Sequence, residues 1–127
     1  MLTIVRLHDW FASKIGQASL SDEVKAYTVG VLSKKIDVID TSIVMEYASA
    51  CESGEFVKFQ KIGDSVLFVS IIHPEFVEQN LVVNQTIAMM AYQSCHRILD
   101  RKWPVYEELS DRLPYVASSV RNVLFVP

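Results

Sequence analysis

Asp64 makes the strongest chemical demand on its surroundings. If residues 55–72 form a helix, this carboxylate falls on the same arc as Phe56, Val57, Leu67, Phe68 and Ile71, and is expected to be partly buried. A carboxylate taken from water without a partner costs several kcal/mol or takes up a proton. The sequence therefore predicts a hydrogen-bonded anchor, tied to a neighbouring helix cap, to Tyr92 or to Lys61 one turn back, with a functional acid as the rarer outcome. Tyr92 and His96 lie one turn apart on a periodic segment spanning about 84–100. With Asp64 they could be the polar groups of a helical pocket for a small apolar ligand, lined by Met89 and Met90. His96 and Asp100 are also four residues apart, which more often makes a surface ion pair than a catalytic dyad.

The remaining reactive residues lack the spacing that chemistry needs. His8, next to Asp9, and His73, which reads as a cap before Pro74, complete a set of three histidines with no HExxH, ExxH or HxH pattern, so no metal site is expected. Glu75 and Glu78 share a helical face without a histidine three positions further on, and read as a solvated edge rather than a di-metal ligand set. Cys51 and Cys95 both fall on apolar helical faces, where burial keeps a thiol protonated and inert, and they read as reduced buried thiols. There is no GxSxG, and four scattered glycines leave no phosphate cradle. No catalytic residue and no cofactor is expected, so an enzyme is the less favoured class.

Composition narrows the partners. Twelve Lys and Arg stand against fifteen Asp and Glu, divided as seven and eight over residues 1–63 and five and seven over 64–127, so no basic face is concentrated anywhere. Nucleic-acid binding, including a helix-turn-helix reading, is disfavoured because neutralising several phosphates needs such a face. The apolar runs Val66–Val69 with Ile71–Ile72, and Ile87–Tyr92, fall far short of the roughly 20 residues that cross a bilayer. The opening residues meet Arg6, His8 and Asp9 too soon for a signal-peptide core, and a cytoplasmic protein is expected. With 50% hydrophobic residues over 127 positions, one domain spanning 1–127 can bury a core without disulfides.

The elements that would carry these side chains read as an all-α bundle of six or seven helices. The first runs from about Thr3 to Ile15, on the 3-4-4 spacing of Ile4, Leu7, Phe11 and Ile15, and closes at Gly16. The second follows Ser21, with Asp22 and Glu23 in its first turn, Val24, Tyr27, Val31 and Leu32 on one face, and Lys34 and Lys35 in the last turn. Asp40, Thr41 or Ser42 caps a third, which stops at Gly54. In the fourth, Val66–Ile72 is β-branched and aromatic enough to be a strand. A helix is the better reading because a lone strand has no partner for its backbone. Mostly apolar round its circumference, with Lys58, Lys61 and Ser65 on one strip, this helix belongs at the centre. Gly63 and Ser70 would let a neighbouring helix come close. His73-Pro74-Glu75 opens a short turn, the segment from Asn84 to Asp100 is amphipathic, and Pro104 and Pro114 open two last helices.

The stretch from Ile62 to Ser70, with Gly63-Asp64 and Leu67-Phe68, is followed by Pro74-Glu75, Ala91-Tyr92 and the run from Tyr106 to Pro114. In these residues the chain resembles a loose group of helical bacterial proteins. These share a Gly-Asp-x-x-Leu-Phe helix, a Pro-Glu step and a terminal Glu-Leu…Pro helix. The resemblance covers about residues 55–125 and departs at Ile71-Ile72. It implies a helical fold and carries no activity and no site.

Trp10, Trp103, Tyr106, Tyr115 and the tail Leu124-Phe125-Val126 are more aromatic and apolar than a lone small bundle requires, and such side chains are enriched at interface cores. The expected function is a helical protein-interaction module, either homo-oligomeric or bound to another protein, with Trp103, Tyr115 and Phe125 as candidate interface residues. The apolar-ligand pocket of Asp64, Tyr92 and His96 is the alternative.

Overall fold

A computed structural model describes residues 4–34, 39, 42–74 and 81–125, with the side chains at 4–6 excepted. Among the described residues there are six helices and no strand: α1 (Ile4–Ile15), α2 (Asp22–Ser33), α3 (Ile43–Ser53), α4 (Phe56–Ile72), α5 (Leu81–Ile98) and α6 (Pro104–Phe125). The caps follow local chemistry. Ser21 Oγ accepts from Val24 N–H at 3.2 Å and Ser42 Oγ from Met45 N–H at 3.3 Å, which satisfies N–H groups that the first turn leaves without partners. Gly54 closes α3 at φ 70°, where a Cβ would be strained. The sequence suggests the same role for Gly16 at the end of α1, yet Gly54 is the only described glycine with positive φ, and Gly16 N–H simply donates back to Ala12. α2 ends at Ser33, so Lys34 is its cap rather than a last-turn residue. Lys35, the alternative caps Asp40 and Thr41, and the acidic pair Glu75 and Glu78 lie outside the described residues.

Val66–Ile72 is helical, as the unpartnered-strand argument requires. α4 is exposed in its first turns, at Val57, Lys58 and Lys61, and enclosed from Ile62 onward: Ile62, Val66, Leu67, Val69 and Ile71 are all buried, as is Phe59 on its inward face. His73 closes α4 by donating its N–H to Val69, and the Arg121 guanidinium of α6 donates to the Ile71 carbonyl at 2.6 Å, capping the same end. Ser65, assigned above to a polar strip, is instead buried and accepts from Ile39 N–H at 3.0 Å. α5 begins at Leu81, before the expected Asn84. It ends in two left-handed residues, Asp100 (φ 56°) and Arg101 (φ 60°), with Arg101 N–H donating to the His96 carbonyl at 2.8 Å. The two helices expected from Pro104 and Pro114 form one element broken at Arg112 (φ −134°, ψ 21°). Pro114 has no N–H for the ladder and crowds the preceding turn, so the helix bends there.

α4, α5 and α6 pack side by side as the centre of the bundle. α1 and α2 form a hairpin that lies against α6, with α2 also touching α4, while α3 crosses α4 and α5. A single core joins them, from Phe11 and Ile15 of α1 through Val24 of α2 to Leu109, Leu113 and Val120 of α6.

Candidate functional site: a carboxylate shared by two tyrosines

Three helices converge on Asp64. Tyr27 of α2 and Tyr92 of α5 both donate their hydroxyls to the same carboxylate oxygen, Oδ1, at 2.5 and 2.8 Å. Tyr92 is fully buried and reaches this position because α4 carries a glycine next to the acid. A Cβ at Gly63 would lie 2.5 to 2.8 Å from Cζ, Cε1 and Cε2 of the Tyr92 ring, well inside contact distance. The ring therefore rests directly on the α4 backbone. Tyr106 of α6 completes the cluster. Its ring centroid is 5.5 Å from that of Tyr27 and 6.0 Å from that of Tyr92, and its hydroxyl accepts from Gln60 Nε2 at 3.0 Å. Tyr27 meets Tyr92 edge to face at 6.1 Å. All three separations are those of close-packed aromatic pairs.

This setting determines the protonation of its members. Burial pushes the Asp64 carboxyl above the usual carboxylate range, against the opposing pull of the Tyr27 and Tyr92 hydroxyls and the Lys34 ammonium. Burial, and then the Asp64 charge, hold Tyr27 and Tyr92 as neutral phenols. Burial raises Tyr106 as well, with the hydroxyl of Tyr27 and the Gln60 amide acting in the other direction. Cys95 is pushed up to about 12 by burial and then by the Asp64 charge. The tyrosines are thus hydrogen-bond donors rather than bases, and Cys95 is an unreactive thiol. The arrangement joins α2 to α5 through α4.

Of the expected pocket residues, Asp64 and Tyr92 come together and His96 does not join them. His96 Nε2 lies 3.8 Å from Glu107 Oε2 on α6, and Asp100, its expected partner, has left the helix in the left-handed turn. Lys61 is exposed and makes no hydrogen bond to Asp64. Met89 packs against the core while Met90 is exposed. Cys51, expected to be buried, is exposed, because α3 buries only Ile43 and Ala50 fully. Sequence reasoning missed Tyr27 as a partner of Asp64, although it placed Tyr27 on the inward face of α2. An amphiphilic phenol on such a face is the available signal for a buried hydrogen bond.

The three candidate interface residues are all exposed: Trp103 at 57%, Tyr115 at 44% and Phe125 at 53%. Arg112 lies over the Tyr115 ring at 4.4 Å and Arg121 over the Phe125 ring at 5.1 Å. Among the described residues, no group of three or more His, Cys, Asp or Glu could hold a metal ion, and no helix is long and apolar enough to cross a membrane. Compared with protein-family models, curated proteins and solved structures, the chain matches none.

Proposed function

We propose that the chain is a small cytoplasmic protein-interaction module that pairs with a second copy of itself through α6. The observation that supports this is the outward stripe of the second limb of that helix. Tyr115, Ser118, Asn122 and Phe125 are all exposed. At 100° per residue they fall within about 80° of one another, with the two aromatics roughly 15 Å apart along the axis. A small residue between two large rings suits a two-fold pair, in which the aromatics of one copy settle over Ser118 of the other. Each ring already has an arginine over one face, a common arrangement at interface anchors. Light scattering coupled to size exclusion, run from low micromolar to near-millimolar chain, is expected to give twice the 14.4 kDa chain mass. The combined Tyr115→Ser and Phe125→Ser variant is expected to give the chain mass alone. A monomer at every concentration, or a dimer indifferent to both substitutions, overturns the proposal.

A further inference from the structure

The stripe on the second limb of α6 is too small to hold two copies together by itself. A stable pairing covers about 800 Å² on each partner, drawn from about 20–30 residues. An aromatic side chain offers about 150–250 Å², and Tyr115 and Phe125 are exposed at 44% and 53%, so the two rings supply about 200 Å² between them. The rest of the face has to come from a neighbouring element.

α5 is that neighbour. Residues 99–103 alone join it to α6, and a turn this short lays the two helices antiparallel. His96 beside Glu107 holds the ends next to the turn together. At the other end, Gln85 Nε2 donates to Ser70 Oγ at 3.3 Å and Arg121 donates to the Ile71 carbonyl, so the start of α5 and the end of α6 meet over the last turn of α4. The first half of α5 therefore runs beside the limb that carries Tyr115 and Phe125. On its solvent side stand Val82 at 77% exposure, Val83 at 53%, Met90 at 42%, and Thr86. At 100° per residue these four fall within about 100° of one another, and Val82 lies about 40° from His96, the residue that faces α6. The two segments also share an absence. Residues 81–95 and 113–125 contain a single Lys, Arg, Asp or Glu, Arg121, although 21% of the chain is charged. At the chain's average, segments of this combined length would hold about six. Helix faces that stay in water normally carry charge, and its depletion beside aromatics and Met marks the buried centre of an interface.

We infer that α5 and α6 form one continuous pairing face, whose occupant is the same two helices of a second copy, stacked as a four-helix layer. This rests on the self-association proposed above and extends it from one helix to two. An uncharged face suits a second copy, because a two-fold axis sets the face against itself and here brings no like charges together. Val82, Val83 and Met90 supply apolar area that the two rings lack, and the flexible Met90 side chain adapts to the partner's shape.

Thr86→Lys and the combined Val82→Lys, Met90→Lys variant test this by light scattering with size exclusion on the full chain. All three sites are exposed, and lysine is a better helix former than threonine or valine, so circular dichroism is expected to show the fold intact. Each variant is expected to raise the dimer dissociation constant by about tenfold or more, because the covered face then holds a charge without a partner. Val57→Lys is expected to leave it unchanged. That site is 68% exposed but lies at the start of α4, where Phe56 and Gln60 meet Tyr106 at the opposite end of the bundle. A smaller effect in the α5 variants, with the dimer still lost in Tyr115→Ser, Phe125→Ser, confines pairing to α6, leaves α5 to another occupant and overturns this inference alone. Equal weakening by Val57→Lys overturns it too, since any exposed charge would then suffice. A monomer throughout, or a dimer indifferent to the α6 substitutions, overturns both this inference and the proposal it rests on.

Discussion

Replacing Gly63 by alanine tests the geometry at the centre of the bundle. In an open helix interior that change stabilises by about 1 kcal/mol, because alanine orders its backbone at less entropic cost. Gly30, inside α2, is such a position: a Cβ there meets nothing within 4 Å. At Gly63 the same methyl would meet the Tyr92 ring at 2.5 to 2.8 Å. That ring is fully buried and tethered by its hydroxyl to Asp64, so it cannot swing aside as an exposed side chain would. Forcing a methyl into a filled core costs about 1–3 kcal/mol. Displacing the phenol from its carboxylate, with both groups still buried, costs about 1–3 kcal/mol more. Set against the propensity gain, these costs leave a net loss of about 1–5 kcal/mol for Gly63→Ala and a gain of up to about 1 kcal/mol for Gly30→Ala. Urea unfolding followed by circular dichroism separates the two, with midpoints moving in opposite directions by several tenths molar or more at slopes of about 1–3 kcal/mol/M. In a Tyr92→Leu background, the cost of Gly63→Ala is expected to shrink. If Gly63→Ala is as stable as the parent, the ring does not rest on the α4 backbone and the account of the junction fails.

Asp64→Ala removes the shared acceptor of two phenols and is expected to destabilise by about 1–3 kcal/mol at neutral pH; an unchanged denaturation midpoint would show that the two hydroxyls find water instead. The cysteines are expected to separate under a thiol reagent at pH 8. Exposed Cys51 should react promptly, while buried Cys95, whose thiol is held protonated to about 12, should react only at the rate of unfolding. Two thiols labelled at equal speed in the native state would contradict that assignment.

Much of this was legible because helix periodicity and capping are local. Ser21, Ser42, Gly54 and Pro104 mark element ends by chemistry confined to a few neighbouring residues, and Asp64 announces a buried partner by its place among apolar residues. What could not be read depends on contacts between elements. Which hydroxyls reach Asp64 is decided by how α2 and α5 lie across α4, and Tyr27 is 37 positions away in sequence. His96 turned towards Glu107 rather than Asp100 because α6 runs beside α5, while a left-handed turn carried Asp100 off the helix. Ser65 looked like part of a polar strip and Cys51 like part of a core stripe. The polar strip of α4 is exposed at Lys58 and Lys61 but passes under its neighbours by Ser65, and a helix laid across the outside of the bundle exposes most of its apolar face.

The order in which the helices pack bears on how the chain folds. α4, α5 and α6 are consecutive and each lies along the next, so their contacts close short loops and form at little entropic cost. The contacts of α1 and α2 with α6 join the two ends of the sequence and form only after most of the chain is already confined. The transition state is therefore expected to hold α4–α6 in place with α1 and α2 still undocked. In stopped-flow kinetics, truncating Leu67 or Ala91 would then chiefly slow folding, and truncating Val24 or Val29 would chiefly speed unfolding. The reverse pattern would mean that the ends of the chain meet first.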